Sequence, residues 1–420
     1  MENLSNWKLT FFTFWFTQAL SLFGSGLASF ALVWWITEST DSATLLATAS
    51  LAALLPGILF GPLAGALVDR LNRKWIIIIS DAISALLALL LVMLFWTNNI
   101  QLWHIYAINI MRGVAGAFQF PAVQSSTSLM VPKEQLARVA GLNQSLQGVT
   151  MIATPPLGAL LLSLLPIHLI LGIDVLSAVV AICLLLTMAI PQPMIQRATA
   201  HVAATVWQDM RAGFSFLRRW PALLSVMCIA ALLNLVLTPA FTLVPILITQ
   251  HFHGSAVQLG LINATYGLGI ISGGALLGIW GGFKRRIMTS LLGLTGLGVG
   301  SFLIGISPSD AYGIAVAGMA LVGMMNTFAN GPFFAILQSI VPPEMQGRVF
   351  TVLMTVSMAM APFGLALAGP LADRFGVQLW YVLGALICCL MVTWIVLSPG
   401  LLHLEEEQMH PVLAVESASE

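Results

Sequence analysis

Charge is what this sequence has least of. Asp, Glu, Lys and Arg make up 8% of its 420 residues and hydrophobic residues 59%, whereas a soluble domain is roughly one quarter charged. So few charges cannot cover the water-facing surface of a chain this long, so most of that surface meets lipid. The formal net charge is zero, which offers no basic face to a nucleic acid. Cysteine is also scarce. Cys183, Cys228, Cys388 and Cys389 all fall in apolar runs without disulfide-framework or metal spacing, and are expected to be small core-filling residues. No HExxH, Gly-x-Ser-x-Gly or P-loop Gly-x-x-x-x-Gly-Lys occurs. That leaves a membrane-embedded enzyme without a motif, implies no cofactor, and leaves an ion gradient as the energy source for any active transport. His251 and His253, alone in an outer loop, read as polar residues rather than a metal site.

What the chain does have is long apolar runs. A helix needs about 20 apolar residues to cross the bilayer core, and twelve stretches qualify: 9–37, 43–67, 75–96, 103–130, 137–165, 168–190, 221–249, 256–280, 287–306, 311–340, 349–371 and 377–398. The run after the polar MENLSNWK is too long for a signal-peptide core and lacks a small-residue cleavage site, so it reads as a retained first helix. With the N-terminus in the cytoplasm, fourteen of the sixteen Lys and Arg fall on cytoplasmic segments, as the positive-inside rule requires. Only Arg374 lies outside, and Arg112 sits within a span.

The two halves resemble each other. Val131-Pro132-Lys133-Glu134 followed by Arg138-Val139 matches Val341-Pro342-Pro343-Glu344 followed by Arg348-Val349, an offset of 210 residues. Pro155-Pro156-Leu157-Gly158 matches Ala361-Pro362-Phe363-Gly364, and Arg73-Lys74 matches Arg285-Arg286. The expectation is an all-α membrane protein of twelve transmembrane helices in two pseudo-symmetric six-helix bundles. Residues 1–190 form the first bundle and 221–400 the second. Residues 191–220 make a cytoplasmic linker whose surface helix, about 203–219, aligns Val206, Met210, Phe214 and Leu217 on one face. Residues 401–420 read as a disordered cytoplasmic tail. Two such bundles around a cleft suit alternating access.

Gly65-Ala66-Leu67-Val68-Asp69-Arg70-Leu71-Asn72-Arg73-Lys74, between spans 2 and 3, resembles the loop signature of the major facilitator superfamily. Asn72 stands where that family usually has Gly, and Asn tolerates a left-handed backbone. Arg112-Gly113-Val114-Ala115-Gly116 resembles the Arg-x-x-x-Gly motif of proton-coupled members. Thr154-Pro155-Pro156-Leu157-Gly158 resembles the antiporter motif Gly-Pro-x-x-Gly, with Thr154 for the first Gly. The stretches FWFTQALSLFGSGL, LLPGILFGPLAGALVDRLNRK, VPKEQLARVAGLNQSLQ, IDVLSAVVA and GRVFTVLMTVSMAMAPFGL, spread over both halves, are similar to the macrolide-efflux (Mef-type) branch.

The resemblance implies a major facilitator fold in the cytoplasmic membrane of a bacterium, with both termini cytoplasmic. It implies export of a bulky, amphiphilic, macrolide-like small molecule in exchange for protons, with membrane lipid as the other partner and no oligomer required. A siderophore or other metabolite exporter of the same fold, and a facilitator without ion coupling, remain open alternatives. A cytoplasmic gate is implied at Gly65, Asp69, Arg70, Arg73, Lys74 and Arg348, with Asp69 latching onto the positive N-terminal end of span 11. Asp373-Arg374 looks like a second loop signature but falls on the outer side, where a solvated loop pair is expected. Cavity walls are implied on spans 1, 4, 7 and 10, from Gln18, Ser21, Asn109, Gln119, Asn234, Met324, Met325, Asn326, Phe328 and Asn330. Methionine repacks readily around bulky apolar ligands.

Intramembrane charge costs about 2.5–3.5 kcal/mol at a helix centre, so it points to function. Arg112 lies near the midplane, roughly 13 Å into span 4 at about 1.5 Å per residue. Asp174 in span 6 and Asp81 in span 3 are the acids at depth. These three are the candidates for proton coupling, with Arg112 as a fixed cation beside a carboxylate. Asp174, the acid in the outer half of the membrane, is the expected proton carrier with a packing role as its alternative, whereas Asp81, near the inner end of span 3, reads as structural and follows with Glu38 only if Asp174 fails.

Overall fold

A computed structural model of the chain describes residues 7–68, 71–188, 190, 192, 211, 214–218 and 220–402. Twelve long helices dominate the described residues: α1 Trp7–Thr40, α2 Ala43–Val68, α3 Arg73–Trp96, α4 Leu102–Met130, α5 Leu136–Leu164, α6 Ile167–Thr187, α7 Pro221–Thr242, α8 Ala256–Trp280, α9 Arg286–Ile306, α10 Tyr312–Ile340, α11 Pro343–Phe375 and α12 Gln378–Leu397. Eleven have the length and hydropathy to cross a membrane. The twelfth, α4, is as long but carries Arg112, Gln119, Gln124 and a run of Ser and Thr, which lowers its hydropathy. Arg112, Gln119, Ser125, Ser126 and Thr127 are buried or half-buried, as the lipid-averse groups of a spanning helix must be, while Gln124 and Ser128 are exposed. After α7 the chain continues through a short turn at Val244–Ile246 and a π-helical turn at Leu247–His251.

Local chemistry sets several ends. Asn72 is extended (φ −69°) and accepts a hydrogen bond from the Trp75 amide, so it caps α3 instead of adopting the left-handed turn expected from the loop signature. Gln101 and His104 cap each other at the start of α4. Prolines lie inside α4 (Pro121), α5 (Pro155, Pro156), α7 (Pro239), α10 (Pro332) and α11 (Pro362, Pro370), as membrane helices tolerate. α11 runs through Asp373 and Arg374, which are exposed in its last turn rather than in a loop. Its end is set by Gly376 at φ +86°.

The chain divides into two compact units. Unit 1 comprises Met1–Ala203 with Ile248–Ala264, and unit 2 comprises Ala204–Leu247 with Thr265–Glu420. In unit 1, α3 packs on α4 and α6, and α1 on α5 and α6. In unit 2, α9 packs on α10 and α12, and α7 on α11 and α12. These pairings are the same under the six-helix shift that the sequence repeat proposes. The segment Ile248–Ala264 belongs with unit 1: Gln250 donates to the Asp41 carbonyl (2.7 Å), and Gly260 sits against Ala159 and the Pro155 carbonyl.

Small residues permit the closest crossings. A Cβ on Gly113 of α4 would stand 2.7 Å from the Ala53 carbonyl of α2, and one on Gly273 of α8 would strike the Met324 backbone of α10. The spaced glycines of α2 behave otherwise. No described atom lies within 4 Å of where a Cβ on Gly57, Gly61 or Gly65 would sit. The cysteine expectation also fails for three of four. Cys388 is buried, but Cys183, Cys228 and Cys389 are exposed, because a bundle that turns apolar residues toward lipid does not reserve them for its core. Of the expected linker helix, Phe214 is exposed and Leu217 buried; Val206 and Met210 lie outside the described residues, as do 403–420.

Candidate functional site

The three charged residues within the spans converge in unit 1. Arg112 of α4 donates to Asp174 Oδ2 of α6 at 2.7 Å. Ser25 of α1 donates to Asp174 Oδ1 at 2.8 Å, and Arg112 reaches the same Ser25 hydroxyl at 3.3 Å. Three helices therefore share one ion pair, and both oxygens of Asp174 are occupied. The residue is 3% exposed. A pair buried this deeply survives only when its remaining polar atoms are satisfied, and Ser25 supplies that bond.

Asp81 of α3 is held differently. It is 2% exposed, and its Oδ1 accepts from Gln119 Nε2 of α4 at 2.6 Å. Ser21 of α1 faces the same carboxyl, and Asp174 lies within electrostatic reach of it. Its Oδ2 is buried without a hydrogen-bond partner, and among the described residues no cation pairs with it. The two acids thus differ in kind: one is neutralised by a fixed guanidinium, the other only by carboxamide and hydroxyl dipoles.

Two cavities flank this core. One, about 380 Å³, is lined by Ser25, Ser84, Asn109, Arg112 and Gln119 among others; Asn109 donates to the Ala49 carbonyl (3.2 Å). The other, about 320 Å³, is lined by Gln18, Ser21, Gln119, Gln124 and Asn143 beside Phe and Trp rings. Gln119 borders both, and the Gln18 Nε2 is buried without a partner. Sequence reading missed Ser25. The signal for it was present, since Ser21, Ser25 and Ser29 recur every four residues and so share one face of α1.

Unit 2 holds an uncharged counterpart. Asn234 of α7 and Asn326 and Asn330 of α10 line a cavity of about 300 Å³ with Ser290, Leu291 and Phe333. Met324, Met325 and Phe328 do not line it. The Met324 backbone meets Gly269 and Gly273 of α8, Met325 lies over Gly296 of α9, and the buried Phe328 ring stands 6.0 Å from that of Trp280.

The remaining motif residues are structural anchors in this conformation. The Arg73 guanidinium donates to the Ser125 carbonyl near the end of α4 (2.9 Å), and the Lys74 ammonium to the Leu186 and Met188 carbonyls at the end of α6 (2.9 and 2.7 Å). Cations at helix C-termini satisfy carbonyls the helix cannot. Arg348 is exposed in α11, its guanidinium 3.9 Å from Met345 Sδ. Asp69 and Arg70 lie outside the described residues. In the antiporter motif, Thr154 packs its methyl on Gly26 with its hydroxyl buried and unpartnered, and Gly158 leaves room for the Phe30 ring. Pro155 and Pro156 interrupt the ladder between them.

Comparison with known proteins bears on the family and the fold. The Major Facilitator Superfamily model matches residues 14–365. Macrolide efflux protein A of Streptococcus pyogenes is 34% identical over 93% of this chain and 96% of its own. Multidrug efflux pump Tap of Mycolicibacterium fortuitum is 24% identical over 91% and 94%. The crystal structure of a variant of the nucleoside transporter NupG superposes with a TM-score of 0.70 at 12% identity, over 93% of this chain and 99% of that one, which supports the fold alone. With twelve long helices, a repeated packing scheme and a charged core inside one repeat, this transporter chain belongs to the major facilitator superfamily and, within it, to the Mef-type branch.

Proposed function

We propose that this protein exports a bulky amphiphilic compound of the macrolide type across the cytoplasmic membrane of a bacterium, by proton antiport and alternating access, with both termini in the cytoplasm. The observation that carries the coupling is the buried Arg112–Asp174 pair and the cation-free Asp81 beside it. The whole-length likeness to macrolide efflux protein A supports the substrate class.

The division of labour follows from the partners of each acid. Taking a proton onto Asp174 would break its pair with Arg112 and leave the guanidinium buried without its counter-charge, which is costly. Asp81 can gain or lose a proton without breaking an ion pair. Gln119 can serve either form, because its carboxamide donates to a carboxylate and its oxygen accepts from a carboxylic acid. In this reading Asp81 carries the proton, Gln119 positions it between the two cavities, and Arg112 with Asp174 fixes the local field.

The test is uptake of a macrolide from the medium by everted membrane vesicles, whose cytoplasmic face points outward, with and without an imposed pH gradient. Uphill movement that collapses with the gradient is the expected result; equal rates in both conditions would leave a facilitator. Asp81→Asn is expected to abolish uphill movement while exchange between equal pools continues. Uphill transport by that variant would remove Asp81 from the coupling role.

A further inference from the structure

Two carboxamides of the unit 2 cavity are oriented by their own helix. The Asn234 amide nitrogen donates to the Ala230 carbonyl at 3.0 Å, and the Asn330 amide nitrogen to the Asn326 carbonyl at 3.0 Å. A backbone carbonyl can only accept, so in both residues the atom facing it must be Nδ2. Each Oδ1 then points away from its own helix backbone, and neither has a donor among the described residues. The Asn326 carboxamide makes no side-chain hydrogen bond there, and Ser290 Oγ is buried without a partner. The polar edge of the cavity therefore offers the two Oδ1 acceptors together with the donors of Asn326, Ser290 and Thr238, a mixture that a hydroxyl group, both donor and acceptor, can meet. Apart from Thr238 the rest of the wall is apolar, with Leu291, Leu294, Phe241 and Phe333 among its residues, and no charged side chain lines it.

We infer that this cavity is the subsite for an uncharged, hydroxyl-bearing ring of the exported compound, such as a neutral sugar substituent. Hydroxyl groups supply the donors that the two Oδ1 atoms lack, and the apolar wall takes the ring face. An ammonium would also donate, but the wall holds no carboxylate, so a charged amine would be stripped of water without a counter-ion. The volume of about 300 Å³ is at the small end for ligand sites, which run from about 300 to 1,000 Å³. It holds one ring of a bulky molecule rather than the whole. The inference rests on the exporter reading above, and it names which part of the substrate unit 2 reads.

The test uses two probes, a macrolide with a free hydroxyl on its neutral sugar and the same macrolide with that hydroxyl O-methylated. Binding to the purified full chain is measured by equilibrium dialysis. The free-hydroxyl probe is expected to bind about tenfold more tightly, the worth of one well-made hydrogen bond. Asn234→Leu, nearly isosteric but without an acceptor, is expected to erase the preference by weakening only the hydroxylated probe. Asn330→Leu, at an exposed position, repeats the test where packing is less at stake, and thermal unfolding of both variants checks the fold. Equal binding of both probes to the unaltered protein, or a preference that survives both substitutions, overturns the inference and leaves the exporter reading standing. Failure of the unaltered protein to bind either probe overturns the macrolide reading, and the inference with it.

Discussion

The two units repeat a packing scheme but not a chemistry. In unit 1 the interior holds Arg112, Asp174 and Asp81; in unit 2 the corresponding interior holds no charge among the described residues. The offset of each matched segment gives the counterparts: 210 residues put Val322 opposite Arg112, the 212 of Arg73-Lys74 and Arg285-Arg286 put Gly293 opposite Asp81, and the 206 of Pro155-Pro156 and Ala361-Pro362 put Trp380 opposite Asp174. Val322 lies at the α9–α10 crossing beside Gly300. A duplicated bundle is free to lose charge at one copy, because each buried ion costs stability unless a partner offsets it. It keeps the small-residue crossings because those set the helix spacing. The comparison teaches that, among the described residues, the packing scheme is kept in both repeats and the buried charge in one.

The comparison breaks most severely at Arg112. Arg112→Ala leaves Asp174 buried without its partner, with an expected loss of about 3–5 kcal/mol of stability and of all gradient-driven export. Adding Asp174→Asn is expected to recover most of the thermal stability in detergent but none of the uphill transport. Recovery of transport in the double variant would return the pair to a purely structural role. Leu291→Asp asks the converse, by planting an acid in the wall of the unit 2 cavity. Without a matching cation or carboxamide it is expected to lower the unfolding temperature and membrane yield, by about 1–3 kcal/mol or more for an unsatisfied buried polar group. A variant as stable as the parent would mean that unit 2 tolerates charge and that the asymmetry is accidental. The smallest effect is expected at the loop signature. Asp69→Asn, which removes the charge of the implied latch, should slow export a few-fold at normal expression, since an acid at a helix N-terminus is worth about 0.3–1 kcal/mol. Unchanged export rates would count against the latch.

Much of this was legible before any coordinates. Hydropathy runs marked the twelve long helices to within a few residues, apart from the N-terminal end of α11 and the break after α7, because twenty apolar residues have few other uses. The repeat in sequence anticipated the repeat in packing. The cost of intramembrane charge singled out Arg112, Asp174 and Asp81. What the sequence withheld was pairing. Arg112 and Asp174 are 62 positions apart and Asp81 and Gln119 are 38 apart, and helix rotation, which decides who meets whom, is set by side-chain packing along entire helices. Met325 and Phe328 were misread for the same reason: a soft residue near a cavity looks alike whether it faces the void or the neighbouring helix. Asn72 shows the limit of reasoning by substitution, since it replaced a turn-former and became a helix cap.

Lys74 ties the end of α6 to the start of α3, and Arg73 ties that same start to the last turns of α4. These tethers act in shear. Three helices that could slide past one another as separate rods are clamped at one end, so a torque on any of them is shared by the group. Stiffness of this kind lets a displacement of a few ångströms at one rim appear undiminished at the other. Uncoupling it, as Lys74→Gln would, should show as faster amide exchange in the last turn of α6 while the buried ion pair stays intact.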